Sequence, residues 1–324
     1  MIKVSICVPT YNNPDEVERL LQSIYMQKFT DFEVNISDDS KDDEIAEIVK
    51  NYQSKYGDAD EEPNRTGALR YVHNQTALGH IFNWNAAIQM ARGEYIKIMF
   101  SDDWFTDSES LGQFVEMLDW NQEAILAFCG SRQIMLDGQG DGAVKHVTKE
   151  HDKDSYDRYA SDSFINHLNE DYRNLFLSNQ IGTPSATMYR RAGSLSLFDE
   201  HSNWASDMFL YFELLKKSEQ FAYTREPLIC VGVHANQYTE SFSERDMRIY
   251  NDYRYMYTKY DLQESKACRE YFTEKFLIKY HQGLREAKNL GIERSLYWRK
   301  WFQELKDTIH CFVSNKTRSI ARRR

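Results

Sequence analysis

At 324 residues the chain is too long for one small domain, and its 41% apolar content can build a substantial core, which leaves one large α/β domain with an appendage, or two domains. A formal net charge of −10 argues against a general nucleic-acid binder, and no run of about 18 apolar residues exists to cross a membrane. The five cysteines, with no CxxC and no His/Cys cluster, offer neither a zinc site nor a disulfide framework and read as reduced core residues of a cytosolic protein; no signal-peptide pattern precedes the first strand.

Residues 3–9 (KVSICVP) predict a short strand, apolar on both faces, followed by the polar and aromatic turn Thr10-Tyr11-Asn12-Asn13. Pro14 suits the first turn of a helix and Asp15 and Glu16 its positive end, with Val17, Leu20, Leu21, Ile24 and Tyr25 recurring at helical spacing. Residues 32–36 predict the next strand, ending in Ser37-Asp38-Asp39-Ser40, and Ile45, Ile48, Val49 and Tyr52 mark the helix behind it. A charged, turn-rich loop over 57–68 leads to a third strand at 69–73, a third helix at 79–91 and a fourth strand at 95–100, which runs into Ser101-Asp102-Asp103-Trp104. Adjacent carboxylates repel, and a divalent cation offsets that repulsion; alternatively, one of them caps the helix that begins near Ser108.

Strand–helix repeats of this kind predict a doubly wound, mostly parallel, Rossmann-like sheet that binds ligands at the carboxyl edge of its strands. No GxGxxG turn marks a dinucleotide site. Two acidic strand ends and Tyr11 instead suit a nucleotide sugar, because carboxylates accept from a pyrimidine imide and from ribose hydroxyls, an aromatic ring packs on the base, and a metal bridges to the diphosphate. Read alone, Tyr11 is an ordinary half-buried aromatic.

Farther on, 111–120 predicts a helix, 124–130 a strand, and 132–147 a Gly-bearing hairpin. Residues 148–176 are polar, with helical periodicity only over 164–177, and the earlier part reads as a mobile surface segment. Thr183-Pro184-Ser185 introduces a strand at 186–189, and Arg190 and Arg191 after it either meet phosphate or are solvated. Asp207 opens a helix, where a carboxylate at the positive helix end is worth about 0.3–1 kcal/mol; Asp199 and Glu200 lie just ahead of it. A strand at 227–233 ends at His234, a metal or phosphate contact or a loop hydrogen-bonder. From 245 onward the pattern is helical, over 246–257, 264–288 and 292–313. The last helix sets Trp298, Trp301, Phe302 and Leu305 among Arg299, Lys300, Lys306 and the terminal Arg318, Arg322, Arg323 and Arg324. That composition suits an anionic membrane surface, or a helix packed on its own domain or on a second subunit of a homo-oligomer.

Several of these segments, in order, resemble the inverting family-2 glycosyltransferases of glycosyltransferase A fold. VSICVPTYNN with QKFTDFEVNISDDSKDD resembles that family's nucleotide-binding opening, NWNAAIQMARGEYIKIMFSDDW its helix, strand and metal-motif segment, and TPSATMYRR with FDEHSNWASD its acceptor half. The resemblance covers 1–240 and implies a catalytic domain there, with a nucleotide-binding half at 1–104, an acceptor half at 105–240 and a helical extension at 241–324. It implies that Pro9, Thr10 and Tyr11 line the base, Asp39 accepts from a uracil or thymine imide, and Asp38 supports that loop. Asp102 would face the ribose, Asp103 would hold Mn²⁺ or Mg²⁺ with His234 near the metal or diphosphate, and Asp207 would be the general base, with Asp199 and Glu200 as the fallback candidates. The implied reaction moves a sugar from a UDP- or dTDP-linked donor to a glycan or lipid-linked oligosaccharide in bacterial surface polysaccharide synthesis, O-antigen included. The implied setting is the cytoplasm or the inner face of the membrane, reached through 293–324. The family's fuller metal motif has an aspartate two positions before Asp102, where this chain has Phe100. That departure keeps open a nucleotide-sugar-binding or scaffolding protein without turnover. A nucleotidyltransferase would want a Gly- and basic-rich triphosphate loop, which PTYNN lacks.

Overall fold

Strand β1 (Val4–Thr10) is the hub of the sheet: all seven residues are buried, and β2 (Phe32–Asp38) and β4 (Tyr95–Ile98) flank it in parallel. The computed structural model describes residues 2–62, 64–136, 149–152, 155–234, 242–243 and 245–321, with side chains described except at 149–152 and 308–321. β3 (Leu69–His73) joins β2 in parallel. The helices α1 (Pro14–Tyr25), α2 (Glu44–Tyr56) and α3 (His80–Gln89) lie between successive strands, as the spacing predicts. α1 buries Val17, Leu20, Leu21 and Ile24. Each such burial contributes roughly 1.5–3 kcal/mol, well above the few tenths by which helix propensities differ among ordinary residues. The apolar stripe therefore decides where the helix sits.

The second half of the sheet departs from a simple parallel repeat. β9 (Thr187–Arg190) runs antiparallel between β4 and β6 (Leu126–Met135), β6 pairs in parallel with β10 (Phe221–Val233), and β10 closes antiparallel onto β5 (Asp103–Phe105). The order is β3-β2-β1-β4-β9-β6-β10-β5, and the longer ladders are parallel. β5 is absent from the sequence reading because three residues carry no period. Asp103 therefore starts a strand and caps no helix; the turn into α4 (Ser110–Trp120) is made by Asp107, whose Oδ1 accepts from the Glu109 N–H at 2.8 Å and the Ser110 hydroxyl at 3.2 Å. β6 outruns its predicted span at its end, where Ser131 and Gln133 are buried, and β10 starts six residues early, with Arg225 and Glu226 exposed; Pro227 sits at a register shift, where its missing N–H does no harm.

The segment expected to be mobile contains β7 (Lys149–Asp152) and β8 (Ser155–Arg158), and β8 extends the sheet along β6. Its polar pattern conceals a buried carboxylate, Asp157, whose Oδ1 pairs with the half-buried Arg132 Nε at 3.0 Å. The expected hairpin lies at 137–148, outside the described residues, apart from the part of 132–136 that belongs to β6. The helix expected over 164–177 is two pieces, α5 (Asp162–Glu170), capped by Ser161 Oγ accepting from Phe164 N, and a 3₁₀ turn Tyr172–Leu177 that begins after the extended Asp171. Arg190 donates to Glu94 at 3.0 Å and Leu118 O at 2.9 Å, and Arg191 to Ala91 O at 3.1 Å, so both brace the amino end of β4, away from its ligand-facing carboxyl edge.

Two compact units emerge: Met1–Ser202 with Ser206–Ser241, and Asn203–Ala205 with Phe242–Arg324. The second holds α6's leading segment 203–205, α7 (Met247–Lys259), α8 (Lys266–Phe272), a π-helical turn Thr273–Ile278, α9 (Leu284–Asn289) and α10 (Arg294–Ala321); α6 itself (Ser206–Lys217) belongs to the first. The single helix expected over 264–288 is broken at His281, which has φ 55°, ahead of Gly283. Stacked Tyr253–Phe276 and Tyr257–Phe272 pairs, with ring centroids 4.0 and 4.5 Å apart, form the core of this unit.

Candidate active site

The carboxyl edge of β1, β2 and β4 gathers most of the predicted residues. β1 ends in Pro9 and Thr10, paired in register with Ser37 and Asp38 of β2. Asn12 and Asn13 turn the chain with left-handed φ of 57°, a conformation asparagine tolerates, and Tyr11 in that turn is 51% exposed. Asp38 is wholly buried and accepts from Tyr71 OH at 2.6 Å and Ser40 N at 2.9 Å; burial, and then that carboxylate, raise the Tyr71 phenol well above its ordinary range. Asp39 takes Asn74 Nδ2 (2.8 Å) and Leu78 N (3.1 Å) on one oxygen and Gly79 N (2.9 Å) on the other. A carboxylate offers about four acceptor positions, so acceptor capacity remains on the Gly79-bonded oxygen. Thr10 Oγ1 is buried at this edge without a hydrogen-bond partner, an orphaned polar atom of the kind that a ligand satisfies.

The two aspartates after β4 divide. Asp103 is 2% exposed, its Oδ1 is left without a partner, and burial and then the Asp102 charge push its pKa well up, against the nearby Ser185 and Lys97. Lys97, beneath it on β4, is fully buried, donates to Ser185 O and Ile98 O, and is pushed down to about 7 by burial. Asp102, by contrast, has a side chain one-quarter exposed, and its Oδ2 lies 3.5 Å from His234 Nε2. Gly232 makes that pairing possible: a Cβ there would stand 2.5 Å from Asp102 O, and the Gly232 N–H donates to the same carbonyl at 3.2 Å. Arg19 of α1 donates to Asp102 O at 3.3 Å and lies over the Trp104 ring at 4.2 Å, while burial and then Asp102 raise the Glu16 carboxyl. The structure thus joins Asp102 to His234 and sequesters Asp103. Among the described residues no group of three or more His, Cys, Asp or Glu side chains is placed to hold a metal ion. Phe100 occupies the position of the missing aspartate and packs on Trp84 with centroids 4.8 Å apart.

Asp207 stands in the first turn of α6, whose Met208, Phe209, Leu210 and Tyr211 are buried. Its carboxylate accepts from Asn179 Nδ2 at 2.7 Å and from Met208 N at 2.8 Å. Burial nevertheless raises it to about 6, against the hydrogen bonds and the Arg158 charge of β8. Asp199 is occupied by the backbone and ring of His201. Sequence reasoning passed over Asn179, Tyr71 and Arg19, none of which carries a motif, and read Glu16 only as a helix-end carboxylate. Asn74 donates its side-chain amide to Asp39 and Ser37. Lys97 did leave a signal, a charge in an otherwise apolar strand.

Residues 5–194, more than half of the chain, match the model of the Glycosyl transferase family 2. The chain belongs to this family. Among curated relatives, the poly(ribitol-phosphate) beta-N-acetylglucosaminyltransferase TarS of Staphylococcus aureus is 30% identical over 129 residues, 39% of this chain and 20% of that protein. The abequosyltransferase RfbV of Salmonella typhimurium is 34% identical over 102 residues, 31% of this chain and 28% of the other. The chain thus covers well under half of the curated relatives it matches. Solved structures share the fold over nearly its whole length: TarS 1–349 in complex with UDP-GlcNAc (TM-score 0.60, 18% identity, 94% of this chain and 80% of the other) and the mannosyltransferase PcManGT from Pyrobaculum calidifontis with GDP-Man and Mn²⁺ (0.52, 15%, 93% and 84%). The family-2 chain therefore has the glycosyltransferase A fold, a mixed α/β architecture with a mostly parallel sheet, and a helical C-terminal region.

Proposed function

We propose that this family-2 protein is an inverting, metal-dependent glycosyltransferase that moves a sugar from a uridine or thymidine diphosphate sugar to a hydroxyl of a lipid-linked glycan in surface polysaccharide synthesis. The observation that carries the reading is Asp207: a carboxylate held by Asn179 and raised to about 6 is mostly ionised at neutral pH yet basic enough to take a proton. The acceptor oxygen attacks the anomeric carbon and forms the new C–O bond; the bond from that carbon to the diphosphate oxygen breaks, its electron pair leaves with the nucleoside diphosphate, and the hydroxyl proton passes to Asp207. No covalent intermediate is needed. Asp39, with acceptor capacity left, suits the base imide, Asp38 with Tyr71 braces its loop, and Pro9, Thr10 and Tyr11 line the same edge.

The metal assignment follows exposure: Asp102 and His234, an oxygen and a nitrogen donor 3.5 Å apart, fit a divalent cation, with diphosphate oxygens and water completing its shell. Bound there, Mn²⁺ or Mg²⁺ would neutralise charge on the departing diphosphate. The buried Asp103 is then a support of that loop. The structural relative complexed with UDP-GlcNAc, and the curated relatives named as a poly(ribitol-phosphate) beta-N-acetylglucosaminyltransferase and an abequosyltransferase, support a nucleotide-sugar donor and transfer of a sugar. No described helix is long and apolar enough to cross a membrane. The surface aromatics Trp298, Trp301 and Phe302, set among basic residues of α10, support peripheral contact with an anionic lipid surface.

A donor screen reading out free nucleoside diphosphate with and without Mn²⁺ identifies the donor. Asp207→Asn then decides the role of Asp207. It should lower transfer roughly 10²–10⁴-fold, the usual worth of general-base assistance, with nucleotide affinity within threefold. Transfer within threefold of wild type would remove Asp207 as the base. Absence of turnover with any donor, alongside tight nucleotide-sugar binding, would favour the binding-protein alternative that Phe100 suggests.

A further inference from the structure

A single buried carboxylate holds the segment that enters α6. Asp252 of α7 is 1% exposed, and its two oxygens receive the backbone N–H groups of Asn203 (2.9 and 3.1 Å), Trp204 (2.7 Å) and Ala205 (2.9 Å), together with the Asn203 side-chain amide (3.1 Å). Charge-assisted bonds to three consecutive amides fix both the position and the direction of that stretch. These amides precede the helix, so the clamp is not an ordinary cap: the Met208 N–H, within the first turn, is met by Asp207 itself. Asn203–Ala205 group with the helical unit, although the chain runs on from Ala205 into Ser206 and Asp207. Nothing in local sequence demands this; Asp252 lies 47 to 49 residues downstream of its partners.

We infer that Asp252 is a positioning residue for sugar transfer, resting on the reading of Asp207 as base: its carboxylate sets the entry of α6 and hence the place of the Asp207 carboxylate. The helical unit is thereby required for turnover and does not serve only as a surface attachment. A base must lie within hydrogen-bond reach of the proton it takes, and a misplacement of about 1 Å costs on the order of 10²-fold in rate.

The test uses the full-length chain with the donor found by the screen. Asp252→Asn turns one acceptor oxygen into an N–H donor facing other donors. It should lower kcat at least tenfold, leave the calorimetric affinity for the matching nucleoside diphosphate with Mn²⁺ within twofold, and speed hydrogen exchange at 203–208 alone. Asp252→Glu should recover part of the rate. An unchanged kcat overturns the inference, and so does a loss of nucleotide affinity that parallels the loss of rate, which would mark a general folding role. Should Asp252→Asn fail to fold, Asn203→Ala removes one donor and leaves the carboxylate; it should lower kcat two- to fivefold at constant nucleotide affinity, and no change overturns the proposal. Asp207→Asn measured alongside separates the two ideas. If it abolishes transfer while Asp252→Asn does not, only the positioning role fails; if Asp207→Asn retains transfer, the base reading falls and the positioning role falls with it.

Discussion

At the scale of single residues, environment divides carboxylates that look alike in sequence. Asp102 and Asp103 are neighbours, yet one is one-quarter exposed and paired with His234 and the other lies buried near Lys97 and Ser185. Asp102→Asn is therefore expected to weaken Mn²⁺-dependent nucleoside diphosphate binding at least tenfold, and Asp103→Asn to leave it within threefold; calorimetry with and without Mn²⁺ reads both, and the opposite ranking would restore Asp103 as the ligand. Asp39→Ala removes the acceptor for Leu78 N, Gly79 N and Asn74 Nδ2, and each such hydrogen bond contributes roughly 0.5–1.5 kcal/mol. A stability loss of about 2–4 kcal/mol in urea unfolding is expected beside any loss of affinity. Asp207 governs pH dependence. Its proton is held more tightly in the folded than in the unfolded protein, because the folded value of about 6 lies above the ordinary 3.8. Its contribution to stability is thus present at low pH and lost as pH rises from about 4 to about 6, while turnover rises across pH 6 as the base ionises. Asp207→Asn should lack both trends, seen in unfolding and in the pH–rate profile.

At the scale of elements, β10 decides the site. It carries His234 at its end, pairs with β5 at Asp103, and passes so close to Asp102 that only glycine fits at 232. Gly232→Ala forces a Cβ against the Asp102 carbonyl; overpacking of this kind typically costs about 1–3 kcal/mol. The expected result is a lower Tm together with a tenfold or greater loss of metal-dependent nucleotide affinity, since the shift falls on Asp102. A loss of stability with metal-dependent affinity intact would separate the strand contact from the site. β8 acts more indirectly, through the Arg158 charge on Asp207, from a segment whose sequence looks like surface loop.

At the scale of the whole molecule, charge is unevenly spread. The chain carries −10 overall, yet 301–324 holds six Lys and Arg against two Asp and Glu. Leu296 and Tyr297 of α10 are buried, and Arg299 and Lys300 pair with Glu270 and Glu274 at 3.0 and 2.7 Å, so the helix is anchored up to residue 300, whereas 301–307 is exposed. Deleting 301–324 should leave nucleotide binding intact and abolish sedimentation with phosphatidylserine-containing vesicles, an association that high salt should also reverse. Insolubility of the truncated chain would show that this stretch packs on protein. Much of this architecture was legible beforehand. Burial of apolar residues is a local, periodic demand, so β1, α1, β3 and the acidic strand ends could be read from spacing alone, and the ordered motifs carried the family. What only tertiary structure decided was pairing across long separations: β5 against β10, Asp102 with His234, Asn179 on Asp207 and Asp252 beneath 203–205. Exposure and hydrogen-bond partners are properties of the packed chain, and they determine which carboxylate is available to a ligand and which one is held inside.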